Sequence, residues 1–230
     1  MDQTLIKNSI PVSHVQRIIA QRMLASKQAK PCFYIRLSAD LTDSMDMRHE
    51  LKKTTGIKIT TNAFYIRALA HAAVQYPLVL GKHDGDNIKI ADSVNVGFAV
   101  TAPQGLVVPV IKNAQKMSLV EIAKAEKDLT DKARANKLTL DELTDETIAL
   151  SNLGAYGVDS FIGIVPPPAS VILAVGNVLH QAAVRNGNIC ERKMVSLSLA
   201  VDNTVINPDY AAKFLSHLKQ LLQDPHSLVD

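Results

Sequence analysis

The strongest constraint on this chain is its punctuation: helical patterns bounded by proline or capping residues, with short strand-like runs between them. Ser13 to Lys30 places Val15, Ile18, Ile19, Met23 and Leu24 on one helical face, with Ser13 as N-cap and Pro31 as stop. Asn62 to Gln75 reads as an alanine-rich helix packed on most sides and halted by Pro77. Thr42 or Asp43 caps a helix to about Lys53, and Ser118 caps a long one to about Ala135. Thr139 or Asp141 starts a short helix, and Pro208 to Gln223 is the last.

The intervals carry strand periodicity. Phe33 to Leu41 alternates Phe33, Ile35, Leu37 and Ala39 with residues of the opposite face, as in a strand buried on one side. Leu78 to Leu80 and Ile88 to Ile90 flank the turn residues Asp84-Gly85-Asp86-Asn87. Val94 to Val100 and Leu106 to Ile111 are strands about a Pro103-Gln104-Gly105 turn, and Thr147–Leu150, Ser170–Val175 and Ser196–Val201 complete the set. Hairpins mixed with helix-connected strands predict one α/β domain built on a mixed sheet. No internal repeat, low-complexity tract or linker interrupts it.

Several function classes are excluded early. A net charge of +3, with basic residues scattered, gives no electrostatic footprint for nucleic acid. No apolar run approaches the roughly 20 residues of a membrane span, and residues 1–10 lack the apolar core of a secretory signal. Cys32 and Cys190 lie far apart without metal-ligand spacing, which predicts a reducing compartment and no disulfide framework. None of the seven histidines has a neighbour at ligand spacing, so no metal is expected; His71, in an apolar helix, reads as a core residue. A phosphate loop, a dinucleotide fingerprint and a nucleophile elbow are all missing.

Three short motifs have both a chemical and an ordinary reading. Ser151, in Leu150-Ser151-Asn152-Leu153-Gly154, is placed to hydrogen-bond a developing oxyanion, or equally to bond its own backbone as a turn serine. Pro166-Pro167-Pro168 is a rigid, extended spacer. Asp131-Lys132-Ala133 matches a lipoyl-attachment triplet but lies inside a helical pattern, so Lys132 is a solvated helix charge.

Taken in order, Ile18-Ile19-Ala20-Gln21-Arg22-Met23, Met47-Arg48-His49-Glu50-Leu51, Asn95-Val96-Gly97-Phe98-Ala99-Val100 and Gly105-Leu106-Val107-Val108-Pro109-Val110 form a specific series. Leu150 to Gly154, Gly157-Val158-Asp159-Ser160-Phe161 and Ile172-Leu173-Ala174-Val175-Gly176 continue it. With these pieces the whole chain resembles the catalytic core of the dihydrolipoamide acyltransferases of 2-oxo acid dehydrogenase complexes. The resemblance implies a two-layer α/β sandwich of the chloramphenicol acetyltransferase type, a mixed β-sheet flanked by helices. It also implies trimers, sometimes built into 24- or 60-subunit shells, with active sites between neighbouring subunits.

In that family a histidine takes the proton from the attacking thiol and a hydroxyl supports the oxyanion. Ser151 matches the hydroxyl, Arg48 an arginine that contacts coenzyme A, and Asn152, Leu153 and Gly154 the coenzyme A pocket. The histidine signature Asp-His-Arg-x-x-Asp-Gly, whose second aspartate is in some members asparagine, aligns with Asp202-Asn203-Thr204-Val205-Ile206-Asn207-Pro208. Asn203 replaces the histidine, Thr204 the arginine and Pro208 the glycine, while Asn207 stays within the family's range. A carboxamide has no basic lone pair near neutral pH. Cys32 also departs from the family, which has histidine there; it is read as core and not as a substitute base.

The expectation is therefore a single core domain over residues 1–230, with 1–9 as an N-terminal arm and without lipoyl or peripheral-subunit-binding domains. It would be a catalytically inactive structural subunit, with a coenzyme A-dependent acyltransferase and a coenzyme A-binding module without turnover as alternatives. Coenzyme A is the expected ligand, and no lipoyl-lysine is expected in this chain. Expected partners are other copies of the chain, an active paralogue, dehydrogenase components and a lipoyl domain, with neither nucleic acid nor membrane among them. The implied compartment is the cytoplasm of a bacterium or archaeon, or the mitochondrial matrix of a eukaryote.

Overall fold

The computed structural model describes residues 11–229 apart from Ser13 and Asn186. The predicted N-terminal arm and the Ser13 cap lie outside the described residues, as does the side chain of Val15. The chain runs α1 (His14–Ala29), β1 (Cys32–Asp40), α2 (Thr42–Thr55), α3 (Thr61–Gln75), β2 (Gly81–Asp84) and β3 (Asn87–Ile90). It continues through β4 (Val96–Phe98), β5 (Val100–Ala102), β6 (Gly105–Val107), β7 (Val110–Ile111) and α4 (Leu119–Arg134). The last elements are β8 (Ile148–Asn152), β9 (Val171–Arg185), β10 (Asn188–Asp202) and α5 (Pro208–Gln223).

Six strands form one sheet in the order β1-β10-β9-β8-β4-β7. β8 is parallel to both β9 and β4, whereas β1, β10 and β9 are mutually antiparallel, so the sheet is mixed as expected. One face carries Ile148, Leu150, Val171, Leu173, Leu197, Leu199 and Val201 into the main core, against α3 and α5. Alanines 68, 70, 72 and 73 of α3 are fully buried, and their small side chains let the helix pack from several sides. The opposite face carries a smaller cluster of Ala149, Ile172 and Ala200 with Val165.

That second face is covered by the segment around Gly163 and Val165 that leads into the triple proline, and α1 docks on this segment. Ser26 Oγ donates to the Val165 carbonyl, Arg22 Nη2 to that of Pro167 at 2.9 Å, and Lys30 Nζ to that of Ala169. The prolines therefore do more than space two elements: their segment supplies the acceptors on which α1 docks.

The predicted Ser118 cap is found, but the expected Thr42 or Asp43 cap is not: both lie inside α2, whose N-cap Leu41 makes no side-chain cap bond, and Thr42 bonds Asp40 instead. Ser118 and Glu121 form a reciprocal capping box at α4, and Thr60 caps α3. Lys132 lies on α4, paired with Asp128 and Glu142, each at 2.7 Å. Other boundaries differ. Leu78 to Leu80 belongs to a 3₁₀ turn that Pro77 initiates, and the strand begins only at Gly81. The predicted strand 94–100 divides at Ala99: β4 belongs to the six-stranded sheet, whereas β5 pairs with β6. The run 106–111 breaks at Pro109, which has no N–H for a ladder.

The largest difference is β9 and β10, each 15 residues long where about six were expected. Residues beyond Val175 leave β8 behind and pair only with β10; beyond Leu179, where β1 also ends, the two strands continue as a ribbon. Both of its surfaces are solvent-exposed over much of its length, so no buried-face alternation announces it. Asp40 anchors the ribbon, accepting from Arg192 Nε at 2.6 Å and from Arg185 Nη2 at 3.1 Å. Because Arg185 lies near the tip, the ribbon bends back toward the start of α2.

Candidate active site

Ser151 is held inside β8 by parallel pairing to Ala174, so it is a strand residue and not a turn serine. It shares with Ala149 the face of the smaller core cluster, and its hydroxyl has no hydrogen-bond partner among the described residues. The segment after it is tightly fixed. Asn152 Oδ1 accepts from Gly154 N at 2.9 Å, and Asn152 Nδ2 donates to Asn62 Oδ1 at 2.7 Å. A Cβ on Gly154 would stand 2.5 Å from the Gly176 carbonyl, and one on Gly176 would stand 2.0 Å from that of Asp159. Three backbone segments thus touch where the sequence places its glycines.

Behind Asn62 lies a polar relay that the sequence did not reveal. Thr60 Oγ1 and Asn62 both bond the carboxylate of Glu126 on α4. Burial pushes the Glu126 carboxyl upward, against the downward pull of those bonds and of Lys58. Arg48, on α2, acts on the same helix. Its charge pulls downward on the hydroxyl pKa of buried Tyr65, one turn from Asn62, while burial pushes that pKa up more strongly. Arg48 and Asn152 are thereby both linked to the first turns of α3.

The degenerate signature sits at the other end of the sheet. Asp202 ends β10 opposite Cys32 and is buried. Its Oδ1 accepts from Thr204 N at 3.0 Å and from Thr204 Oγ1 at 2.6 Å, and its Oδ2 stands 3.9 Å from Lys30 Nζ. Asn203 is exposed, its backbone N–H bonded to the Pro31 carbonyl at 3.2 Å. Asn207 caps α5 through a 2.8 Å bond from Tyr210 N, and Pro208 occupies the first helical position, where no N–H is needed. The Cys32 thiol is pushed up by burial and by Asp202, which keeps it protonated and a poor base.

Lys30, His83, Pro168, Ser170, Asp202 and Thr204 line a cavity of about 490 Å³ at this turn. An imidazole does stand here, but His83 Nε2 faces the Thr204 carbonyl at 3.2 Å and Nδ1 that of Gly85 at 3.3 Å. With both ring nitrogens directed at acceptors, His83 presents no free lone pair to the cavity.

Within one chain the two halves of the predicted site are not brought together. Ser151 is level with Ser198 two strands away, and Asp202 lies four residues further along β10. Strand spacing and rise place Ser151 about 16 Å from Asp202. Among the described residues no cluster of His, Cys, Asp and Glu could hold a metal, and no helix is long and apolar enough to cross a membrane.

The family description 2-oxoacid dehydrogenases acyltransferase (catalytic domain) matches residues 5–229. The dihydrolipoyllysine-residue acetyltransferase component of pyruvate dehydrogenase complex from Rickettsia bellii is 34% identical over 219 residues, covering 94% of this chain and 52% of that protein. The mitochondrial pyruvate dehydrogenase protein X component of Mus musculus is 35% identical over 95% of this chain and 44% of its own length. The chain thus spans about half the length of these relatives.

Among solved structures, the Azotobacter vinelandii dihydrolipoamide acetyltransferase superposes with a TM-score of 0.92 at 29% identity, over 97% of this chain and 94% of that one. That work names a serine, a histidine and an asparagine in its catalytic mechanism, 52 and then 4 residues apart. Ser151, Asn203 and Asn207 stand at the same intervals. The cubic core of a pyruvate dehydrogenase multienzyme complex superposes equally well, with a TM-score of 0.92 at 30% identity and the same coverage of both chains. Chloramphenicol acetyltransferase, at 13% identity and a TM-score of 0.52 over 92% of this chain and 96% of its own, shares the fold.

Proposed function

Because the chain belongs to the family of 2-oxoacid dehydrogenase acyltransferase catalytic domains, we propose that it is a core subunit of such a complex that does not itself transfer acyl groups. The observation that carries this reading is Asn203, whose spacing from Ser151 and Asn207 is that of the histidine from the serine and asparagine named for the Azotobacter relative. Thr204 and Pro208 support it, being committed to a closed turn and a helix start. The mouse relative's name, a protein X component, states membership of a complex and no reaction.

Self-association into trimers or larger shells belongs to the same proposal. Tyr34, Ile162 and Ile164 leave apolar surface exposed on the side of the sheet that carries the smaller core cluster. The separation of Ser151 from Asn203 fits a site shared between copies, in which Ser151 could serve the histidine of an active neighbour. The decisive assay offers acetyl coenzyme A and dihydrolipoamide to the purified protein, with native mass measurement alongside. The proposal expects an oligomer without turnover; robust turnover that Ser151→Ala abolishes would overturn it.

A second reading is supported by the ordered Ser151–Gly154 segment and its link to α3: the chain retains a coenzyme A pocket. Calorimetric titration with coenzyme A tests it, since a purely structural subunit gives no binding heat. Asn203→His then separates a site that lacks only its base, where the rate should rise ~10²-fold or more, from one whose loop no longer supports the chemistry.

A further inference from the structure

Glu146 precedes β8, is 8% exposed, and has a deeply buried Oε2 without a hydrogen-bond partner among the described residues. Its carboxylate lies over Gly97, where a Cβ would stand 2.4 Å from Oε2; only glycine leaves this space. The cations that act on it, Arg22 of α1 and Lys30 just after that helix, are otherwise engaged. Arg22 is bonded to Pro167, and Lys30 to Ala169 with Asp202 beside it. A buried carboxylate without partners is costly, and burial raises the Glu146 carboxyl to about 7, against the charges of Arg22 and Lys30.

Glu146 forms part of the wall of a cavity of about 220 Å³ between β8 and the β2–β3 hairpin. Leu80, Ala91 and Pro168 give it apolar walls. Lys82 and Lys89 also line it, facing each other directly across the hairpin, and neither has an ion-pair partner among the described residues. Like charges directly opposite destabilise a hairpin, so this pair stands as an uncompensated cationic arm. The other acid at the cavity, Asp145, is exposed and paired with Lys112 at 3.4 Å. The cavity therefore has an acidic wall, apolar sides and a basic arm.

We propose that this cavity binds a small zwitterion of the amino-acid class, its ammonium group on Glu146 and its carboxylate on Lys82 and Lys89. An ammonium group in the cavity would give the Glu146 carboxylate a counter-charge, and a carboxylate there would offset the repulsion of the lysine pair. The volume suits a small metabolite and falls below that of most drug-sized ligand pockets. None of the residues assigned to acyl transfer contributes, so the site stands independently of the acyltransferase reading.

The test is a calorimetric or ligand-detected NMR titration of the intact protein with glycine, 4-aminobutyrate and 6-aminohexanoate, using butylamine and butyrate as single-charge controls. At least one zwitterion should bind more tightly than both controls. Glu146→Gln and the double variant Lys82→Ala/Lys89→Ala should each weaken it about tenfold or more. The lysines are exposed, so the double variant reports even where the Glu146 variant fails to fold. No saturable binding of any zwitterion up to about 20 mM, a range that would register Kd values near 1 mM, would overturn the proposal. So would equal binding of butyrate with no effect of Glu146→Gln.

Discussion

Asn152 donates to Asn62 across 2.7 Å and so ties the end of β8, one residue beyond Ser151, to the first turn of α3. The bond joins residues 90 positions apart and continues through Asn62 to the buried carboxylate of Glu126. The placement of the Ser151 segment is therefore a property of the helical layer as much as of the sheet.

Removing Asn62 should expose that dependence. Asn62→Ala leaves the Asn152 amide and the Glu126 carboxylate each short of a partner, and should cost about 1–3 kcal/mol. Urea unfolding measures the loss. An unchanged midpoint would mean that the relay is incidental.

The glycines of the same region predict a sharper contrast. Gly176→Ala would force a Cβ to 2.0 Å from the Asp159 carbonyl, and neither backbone can yield, so soluble folded protein should fall severely. Gly56→Asn, at the left-handed C-cap of α2 with open space around it, should cost under about 1 kcal/mol. Expression and thermal melts of the two variants check the pair.

Glu146 predicts a pH dependence of unusual sign for a carboxylate. Its folded-state pKa of about 7 lies above the ordinary 4.5, so the folded state holds a proton that the unfolded chain has released. Stability should fall as pH rises from about 4.5 to about 7 and then level off, by at most ~3 kcal/mol. Glu146→Gln should flatten this slope and be the more stable form at pH 8. Denaturant titrations at pH 5 and pH 8 distinguish the two proteins.

Asp40 predicts the opposite slope. Burial raises its pKa, but bonds from Thr42, Arg192 and Arg185 outweigh that and bring it to about 2. The stability it contributes is present above the unfolded value of 3.8 and is lost as pH falls toward 2. Asp40→Asn should cost up to about 2 kcal/mol at pH 7. It should also raise hydrogen exchange in the ribbon beyond Leu179, because both ribbon arginines lose their anchor.

Local signals carried much of this fold. Ser118 with Glu121, Thr60 with Ala63 and Asn207 with Tyr210 are caps written within a few residues of chain, and their helices lie close to the expected places. Leu78-Val79-Leu80 misled because a short apolar run suits a strand or a 3₁₀ turn equally, and Pro77 decides between them. The ribbon was illegible because strand periodicity is a signature of one buried face, which it lacks. The site divided in the same way. Ser151, Asn203 and Asn207 were singled out by motif and interval, whereas Asn62, Glu126 and Glu146 acquire meaning only through contacts that tertiary folding creates.

The turn from Asp202 to Thr204 has one more consequence, which concerns history. Its carboxylate is saturated by its own neighbour, and the helix that follows starts on a proline with an asparagine cap. Thr204→Arg would surrender the hydroxyl's bond to Asp202, and Pro208→Gly would loosen a preorganised helix start. Each such step carries an immediate cost, while any catalytic gain waits on Asn203→His. In a core subunit of the kind proposed, such a segment would resist return to the family's signature one substitution at a time.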